Sequence, residues 1–599
     1  MHKLLQKIVF VGCITLIINA QKLFSQNDLP VGFSPEEIQL MQSPDYKAPA
    51  YFGSGIATPP PGPLRTMAQW EEMQALTITW ISYKSVLLEI VKAAALETKV
   101  YIICGTQCPT FGGGSDSLTV KNYLSSGGVP ASSLLNVHYV YAPCNSVWTR
   151  DYSANSVYMN DVDSLIMVDW KYNRPSRTSD DTVSHMLARR LNIPLYETQG
   201  ANQLIHTGGN FMSDGLGTAF SSELGLNENP SLTETQINTI MQDFMGITRY
   251  PKMEVLPYDG IHHIDMHMKL LNEETLLVGQ YPVGTADGPQ IEANIQYILS
   301  GFNSVFGTPY KVIRIPQPPD QLNGYTYPNN GGNYLTYTNS SIINKTIIVP
   351  QYYQQYDTTA LRIFRDAMPG YNVVGINSNS TISASGSLHC ITHSVGITDP
   401  LLIVHQNLPN TANTITPYQV DARIQHKSGI QTAALYYTND TTLGFTSVAM
   451  TLTNSTNHTW TGYIPAYPSG THVFYYIKAN ANSGKEQVRP MPAPRGNFMF
   501  WVIGSLGMDA NINLSITMKP AFPNPSHGIT CIPVSLNKNT KGTIKLYDMI
   551  GKEVAIIYEG EMMAGEKNYF INSLTINPGA YLISIETNDG RQTQKLMIK

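Results

Sequence analysis

Short apolar runs alternate with helical patterns from about residue 67 to residue 405, and this alternation constrains the fold more than any other feature of the chain. Alternating strands and helices are typical of an α/β domain, which we expect to cover residues 67–410. The candidate strands are VYIICG (100–105), SLIMVDW (164–170), ETLLVGQY (274–281), TIIVPQYY (346–353) and YNVVGI (371–376). The candidate helices are SYKSVLLEIVKAAALE (82–97), DDTVSHMLARRLN (180–192) and DTTALRIFRDAM (357–368).

The pattern changes after Pro409, where strand-and-turn sequence replaces the helical stretches. Residues 411–504 contain repeated β-branched and aromatic runs and predict an immunoglobulin-like β-sandwich. Residues 513–599 again read as short strands with tight turns and predict a small all-β domain. No convincing internal repeat is visible in the sequence.

The N-terminus has the pattern of a signal peptide. Lys3 and Lys7 precede and flank the apolar run IVFVGCITLIINA (8–20), which is short for a membrane span. We expect residues 1–25 to be a signal peptide and residues 26–66 to be an N-terminal arm rich in proline and glycine near its end. Cys13 could accept a lipid, but Phe10 is a poor residue three places before it. Since no later apolar run approaches the length of a membrane helix, we expect a secreted protein without a transmembrane segment.

Charge and cysteine content narrow the function classes. The net charge is −5 and no long basic run occurs, so the sequence does not favour nucleic-acid binding. Six cysteines are present, and removal of Cys13 with the signal peptide leaves five. Cys104 and Cys108 are the easiest to pair because they are close in sequence. An odd number leaves at least one thiol for chemistry or for another chain.

Two polar motifs in the α/β region have both a structural and a functional interpretation. WTRDYSA (148–154) places Arg150 and Asp151 in an apolar setting, where a buried ion pair or a strand end is the simplest explanation. HTGGNFMSDGLG (206–217) is glycine-rich but has neither the Walker lysine nor the dinucleotide-binding glycine spacing. Taken alone, it predicts a turn more readily than a site.

A third motif, GIHHIDMHMKLL (260–271), contains several possible ligands or proton carriers. If it forms a strand, His263, Asp265 and His267 lie on one face. Such a face could bind a metal, or His263 could act as an acid and base while Asp265 binds a cation. A histidine-rich surface strand is the structural alternative.

The stretch SGSLHCITH (385–393) places Cys390 beside His389 and near His393. A buried, inert cysteine is the common case, whereas a nucleophilic cysteine needs thiolate character and nearby histidine. A cysteine, a histidine and two carboxylates together suit attack on a guanidinium. Carboxylates clamp this planar cation by paired hydrogen bonds, and its charge stabilises the thiolate.

The sequence resembles the guanidine-modifying superfamily, specifically the bacterial secreted peptidylarginine deiminases and the related agmatine deiminases. The resemblance spans roughly residues 67–405, and the order and spacing of its stretches make it more specific than any single motif. These stretches are WTRDY (148–152), GGN with DGLGT (208–218), HIDMHMKLL (263–271), YTNSSIINKTIIVP (337–350), AMPGYNVVGIN (367–377) and LHCITH (388–393).

The resemblance implies a role for each matching residue and a five-bladed α/β-propeller, or pentein, fold. Cys390 would be the nucleophile, and His263 would be the general acid and base. Asp151 and Asp265 would clamp the guanidinium. Asn339 would orient the catalytic end, and Trp148 would form an apolar wall against the substrate methylenes. The implied reaction converts peptide or protein arginine to citrulline with release of ammonia through a covalent thiouronium, without a metal or other cofactor.

The resemblance also covers the flanking regions. The secreted family grips a peptide's C-terminal carboxylate with two arginines in a loop that matches YNRPSRTSDD (172–181). Here Arg174 is in the first place, Ser176 is in the second, and Arg177 follows one residue later. The end of the chain resembles a type IX secretion sorting domain, which implies export to the medium or to the outer surface of a Gram-negative cell, with the secretion machinery as a partner.

Three other functions stay open on the sequence. A deiminase of free guanidines such as agmatine or arginine fits residues 67–405, although such enzymes are usually cytoplasmic single domains. A metal hydrolase would use His263, Asp265 and His267 but would leave Cys390 and Asp151 without roles. A binding protein that retained the fold is the third alternative.

Overall fold

The computed structural model of the chain describes residues 29–43, 55–105, 117–282, 284–320, 324–325, 334–503, 516–548, 551–587 and 590–599. The expected signal peptide, Cys13 and Cys108 lie outside these residues, so the leader and the pairing of Cys104 with Cys108 stay predictions. The chain forms two compact units, Met1–Ile503 and Gly504–Lys599.

Five separate sheets make up the α/β part of the first unit. Their strands, in spatial order, are Leu64–Thr66, Asn155–Met159, Ser164–Asp169 and Leu195–Glu197; Met212–Ser213, Ala219–Ser222 and Lys252–Met253; Met268–Asn272, Thr275–Gln280 and Lys311–Pro316; Ser341–Ile343, Thr346–Gln351 and Asn372–Asn377; and His393–Gly396, Met73–Thr79, Lys99–Cys104 and Val137–Tyr141.

One connection pattern recurs in all five sheets. An antiparallel pair is followed by a crossover that ends in a parallel strand. A parallel neighbour needs such a long connection, and a helix supplies it in each case. The five crossover helices are Lys84–Ala94, Val183–Leu191, Glu234–Met245, Gly288–Gly301 and Gln354–Ala367. The structure therefore contains a fivefold repeat that is not visible in the sequence.

Local sequence explains where these helices begin and end. Thr233 and Gln236 form a capping box at the start of Glu234–Met245. The helix ends at Gly246, which has φ +68°, and a Cβ there would approach the carbonyl oxygen of Leu64 within 2.0 Å. The other described helices are Pro35–Met41, Ser117–Ser126, Ala131–Leu134, Thr149–Tyr152, Leu224–Asn227 and Asn379–Ile382.

The remainder of the first unit is a pair of sheets around a separate apolar core. The strand Leu402–Val404 pairs with Tyr418–Gln425, so it belongs to the first of these sheets although it lies within the range expected for the α/β domain. The domain boundaries and the immunoglobulin-like topology stay predictions. The sheets are Leu402–Val404, Tyr418–Gln425, Thr459–Ile464 and Thr451–Asn454; and Thr446–Ala449, Ile430–Thr438, His472–Ala481 and Glu486–Arg489, with Phe498–Trp501 beside His472–Ala481.

The second unit is all-β over its described residues. Two sheets enclose an apolar core that includes Ile532, Leu546, Ile583 and Leu596. The strands are Ile516–Met518, Ile529–Leu536 and Gly565–Asn572; and Glu553–Met562, Thr540–Asp548, Gly579–Thr587 and Gly590–Ile598. Within the described residues of both units, no helix is long and apolar enough to cross a membrane.

Candidate active site

The fivefold repeat brings five loops together at equivalent places. Each loop lies just before the first antiparallel strand of its sheet, and each carries polar residues that are fully or almost fully buried. Four of the five candidate catalytic residues come from four different loops, and the fifth loop contributes glycine. The four residues are Asp151, Asp265, Asn339 and Cys390, and the glycine is Gly209.

Asn339 holds the cysteine loop at the centre of this cluster. Its side-chain amide donates to Cys390 Sγ at 3.2 Å. Its Oδ1 accepts from the backbone N–H of His389 at 3.0 Å and from that of Cys390 at 3.4 Å. All three residues are completely buried. Asn339 therefore fixes both the backbone and the sulfur of Cys390.

Asp265 lies on one side of the cysteine. Its Oδ2 is 2.6 Å from His389 Nδ1 and 3.7 Å from Cys390 Sγ. His389 Nε2 is 2.7 Å from the amide nitrogen of Gln69, whose Oε1 accepts from Lys269 Nζ at 2.9 Å. Asp265 is therefore positioned by a histidine that is itself held by a polar chain.

Asp151 lies beside His263 in the same buried cluster. Asp151 Oδ1 accepts from the backbone N–H of Gly209 at 3.0 Å and is 3.7 Å from His263 Nδ1. His263 Nε2 is 3.1 Å from the hydroxyl of Thr207. A Cβ at position 209 would be 2.5 Å from His263 Nδ1, so only glycine lets this backbone approach both side chains.

Burial disfavours every charge at this site. It raises the pKa of Asp151 to about 7, against the opposing effect of Arg174, and raises the pKa of Asp265 well above its ordinary value. Burial also lowers the pKa of His263. The pKa of the Cys390 thiol is raised by burial and then by the negative charges of Asp265 and Asp151. The site as folded therefore favours neutral groups and a protonated thiol.

Some polar atoms of this cluster lack a hydrogen-bond partner among the described residues. They are Asp151 Oδ2, Asp265 Oδ1 and His263 Nδ1, and all three residues are completely buried. A buried carboxylate oxygen without a partner is costly, and a cation with several N–H groups would satisfy one such oxygen on each aspartate. The arrangement suits a guanidinium held next to a thiol. The positive charge of the guanidinium would oppose the rise that burial causes in the pKa of Cys390.

The three residues predicted to bind substrate form a second buried group. Trp148 is completely buried, and its indole N–H donates to the carbonyl of Leu29 at 2.7 Å. Arg174 pairs with Glu228 at 3.6 Å, and Arg177 pairs with Glu37 at 2.8 Å. The structure thus places all three side chains against other residues of the chain.

The motif at 260–271 differs from the sequence expectation. His263, Asp265 and His267 do not share a strand face, because Ile264–Met266 is a 3₁₀ turn and the strand begins only at Met268. Among the described residues, the ligand atoms that converge within 4.8 Å belong to Asp169, His185 and Glu197 instead. The strand that would place His263, Asp265 and His267 on one face was therefore wrong.

Two further differences concern the neighbouring motifs. Asp151 and Arg150 do not make the expected ion pair: Arg150 Nε donates to the carbonyl of His389 at 3.3 Å. The glycine motif at 206–217 does more than form a turn, since the backbone N–H of Gly209 donates to Asp151 in the candidate site. Sequence reasoning also missed the role of His389 as the partner of Asp265, although its position beside Cys390 was visible.

Two models of known protein families match the sequence of this chain. A model of the Porphyromonas-type peptidyl-arginine deiminase family matches residues 65–395, more than half of the chain. A model of the secretion system C-terminal sorting domain matches residues 520–599.

Curated relatives and solved structures are similar to about half of the chain. A protein described as "Putative agmatine deiminase" from Legionella pneumophila (strain Paris) is 27% identical over 266 residues, which are 43% of this chain and 75% of the relative. A Yersinia pseudotuberculosis protein of the same description is 25% identical over 304 residues, 45% and 81% of the two chains. The agmatine deiminase structure from Enterococcus faecalis has 18% identity and a TM-score of 0.48, covering 55% of this chain and 95% of its own.

Proposed function

Because the chain belongs to the Porphyromonas-type peptidyl-arginine deiminase family, we propose that it is an exported enzyme that deiminates peptide or protein arginine to citrulline. One observation carries this proposal. Two completely buried carboxylates, Asp151 and Asp265, lie near enough to the buried thiol of Cys390 to raise its pKa, and each has an oxygen without a partner among the described residues. A guanidinium would satisfy both carboxylates and activate the thiol.

In this proposal, binding of the substrate cation prepares the nucleophile. The guanidinium forms charge-assisted hydrogen bonds with Asp151 and Asp265, which become ionised in its presence. Its positive charge lowers the pKa of Cys390 and offsets the desolvation of the thiolate. Asn339 adds a hydrogen bond to sulfur, which also favours the thiolate.

The chemical steps follow from these positions. His263 accepts the thiol proton as Cys390 Sγ bonds to the central guanidinium carbon, and it then donates this proton to the leaving nitrogen as ammonia departs. The resulting thiouronium is attacked by water, with His263 now accepting the proton. Collapse of the second tetrahedral intermediate breaks the carbon–sulfur bond, transfers the hydroxyl proton to sulfur and leaves the ureido group of citrulline, while His263 releases its proton to solvent. Because burial lowers the pKa of His263, the ring is neutral in the free site and can accept first the thiol proton and later that of water.

We assign the peptide substrate from the rest of the chain. The sorting-domain match indicates export, where peptides and proteins are available. Arg174 and Arg177 supply two guanidinium groups near the site, which suit a peptide carboxylate, a group that agmatine lacks. A free-guanidine deiminase is the second candidate, because the curated relatives above are described as agmatine deiminases.

The architecture and location belong to the same proposal. Five sheets with one connection pattern, each contributing a loop to one cluster, support a five-bladed propeller around the site. The sorting domain supports passage through the type IX secretion machinery to the medium or to the cell surface.

The test is release of citrulline and ammonia by the purified protein in the presence of EDTA. Four substrates are compared: a peptide ending in arginine, its amide, a peptide with internal arginine, and agmatine. Turnover of peptides supports the proposal, and their ranking reports recognition of the terminal carboxylate. Turnover of agmatine alone establishes the second candidate. Activity lost to EDTA would contradict the metal-free mechanism.

A further inference from the structure

The N-terminal segment 29–43 lies against the substrate-binding group described above. Its helix Pro35–Met41 begins with a capping box between Ser34 and Glu37. Main-chain atoms of the residues before this helix contact Trp148, Arg174 and Arg177. The segment therefore joins residues that are far away in sequence and that the proposed function assigns to the substrate.

Arg177 gives its hydrogen bonds to this segment. Its Nε and Nη2 donate to the two carboxylate oxygens of Glu37 at 3.0 and 2.8 Å. Its Nη1 donates to the carbonyl of Pro30 at 2.6 Å, and Nη2 also donates to that of Gly32 at 2.8 Å. A paired guanidinium–carboxylate contact is the geometry with which arginine binds a peptide's terminal carboxylate.

Glu37 is built to remain an anion in this contact. Only 1% of the residue is exposed, and the hydroxyl of Ser176 donates to its Oε1 at 2.6 Å. Burial would raise the pKa of Glu37, but Arg177, Ser176 and Ser34 together lower it below its ordinary value. Ser176, which stands where the family resemblance expects the second arginine, thus supports the same carboxylate.

Arg174 and Trp148 are covered by the same segment. The Arg174 guanidinium lies 4.3 Å from the centre of the Phe33 ring, and its Nε donates weakly to the carbonyl of Val31 at 3.4 Å. The indole N–H of Trp148 donates to Leu29. Gly386 packs tightly against both Val31 and the Trp148 ring, since a Cβ at position 386 would lie within 2.5 Å of each.

The segment bends at Val31 and Gly32, where it crosses these residues, and it is held there by its backbone. The Val31 N–H donates to the carbonyl of Ala384 at 3.0 Å, and Val31 is completely buried. Both backbone polar groups of Val31 are therefore hydrogen-bonded, its N–H to Ala384 and its carbonyl to Arg174, as those of a bound peptide would be. The five candidate catalytic residues are also completely buried, so a substrate reaches them only if some of the described residues that cover them move.

From these contacts we infer that residues 29–43 occupy the enzyme's own peptide groove, with the Glu37 carboxylate in the place of a substrate carboxylate, and that they must leave before peptides bind. This inference rests on the proposed function for the identity of the groove. The segment and the substrate compete for Arg177, Arg174 and Trp148, so an occupied groove reduces apparent affinity by the fraction of open molecules.

A matched pair of variants tests the contact. Glu37→Ala removes the anion that Arg177 holds, whereas Glu36→Ala removes an exposed carboxylate from the same helix turn. We expect Glu37→Ala to lower KM for a peptide ending in arginine by at least about tenfold, with Glu36→Ala unchanged. Equal KM values for both variants and the parent chain would overturn the inference.

Cleavage of the folded protein gives a second measurement that does not depend on the stability of a variant. A specific protease site is placed within residues 44–54, and the protein is compared before and after cutting. We expect cutting and dilution to increase turnover of arginine-terminal peptides, and a synthetic peptide of residues 29–43 to inhibit again. The same peptide with Glu37→Gln should inhibit more weakly.

The outcomes separate this inference from the proposed function. If citrulline release is equal before and after cutting and the added peptide does not inhibit, the inference that residues 29–43 occupy the groove is wrong. The proposed deiminase activity is then still supported. Absence of citrulline throughout overturns the proposed function instead. In that case binding of a labelled 29–43 peptide to the cut protein still tests whether this segment occupies a peptide groove. Displacement by a peptide ending in arginine supports the inference, and failure of the labelled peptide to bind refutes it.

Discussion

The two ends of the candidate site differ in how their polar groups are satisfied. At the reaction end, Asp151, Asp265 and His263 each present a buried atom without a partner among the described residues. At the binding end, Arg177 is fully engaged by Glu37 and by backbone carbonyls. Both ends are buried, so burial alone does not explain the difference.

The comparison shows which charges the chain supplies for itself. The N-terminal segment brings an anion for Arg177, but no lysine or arginine among the described residues forms an ion pair with either carboxylate. Arg150 is close enough to influence Asp265, yet its Nε donates to a carbonyl, and burial lowers its pKa to about 10. The reaction end is therefore complementary to an incoming guanidinium, and the binding end is complementary to a carboxylate that is already present.

The largest expected effect comes from removing the proposed nucleophile. Cys390→Ala should reduce citrulline formation by at least about 10⁴-fold, because no other group can form the covalent intermediate. Steady-state kinetics check the rate, and the melting temperature checks the fold. Cys144→Ala is the control for loss of another buried sulfur. Retained turnover in Cys390→Ala would contradict the mechanism.

Asp265→Asn should break the reaction end almost as strongly. It removes the negative charge from one half of the guanidinium clamp and weakens the contact with His389, so we expect kcat/KM to fall by about 10³-fold. The loss should be the same for arginine-terminal peptides and their amides, since the carboxylate end is untouched. A loss confined to one of these substrates would show that Asp265 acts elsewhere.

Asp151→Asn should separate stability from activity. Because the folded pKa of Asp151, about 7, exceeds the ordinary value of 3.8, the proton on this group stabilises the fold fully below pH 4. That stabilisation is lost as the pH rises to 7, at a cost of up to about 4 kcal/mol. The amide avoids this loss and still accepts from Gly209.

We therefore expect Asp151→Asn to be inactive but to melt at a higher temperature than the parent protein at pH 8. The gain should shrink towards pH 4, as calorimetry across this range can measure. A variant that is destabilised equally at all pH values would show that Asp151 is instead needed as a folded-state anion.

The smallest effect is expected at the binding end. Arg174→Ala should lower kcat/KM for arginine-terminal peptides by about 10- to 100-fold relative to their amides. This is the range for loss of a hydrogen bond to a charged group. The comparison is best made after cleavage within residues 44–54, so that the N-terminal segment does not mask it. Arg189→Ala, at an exposed position, is the control. Equal losses on both substrates would remove Arg174 from carboxylate recognition.

The sequence allowed the strands and helices of the α/β region to be located closely. The run at 346–353 became the strand Thr346–Gln351, and the pattern at 357–368 became part of the helix Gln354–Ala367. Apolar periodicity reports local structure well because it reflects burial of one face. The three-residue turn Ile264–Met266 was missed, since a pattern of alternate polar residues fits a strand equally well.

The candidate site was predictable only through resemblance. Cys390, Asn339 and Asp151 are more than 50 residues apart from one another, and no local pattern shows that their loops converge. Neither could the contact between Glu37 and Arg177 be predicted, because it spans 140 residues. Long-range pairing of this kind depends on the order of the sheets and not on local propensity.

The most direct test of the central claim is the rate at which two small reagents alkylate Cys390, measured by mass spectrometry of the modified peptide. Chloroacetamidine carries a guanidinium-like cation, and chloroacetamide is its neutral counterpart. If paired carboxylates hold a cation beside the thiol, the cationic reagent should react at least about 100-fold faster after correction for intrinsic reactivity, and Asp265→Asn should abolish the preference. Equal corrected rates in the parent protein would contradict the account.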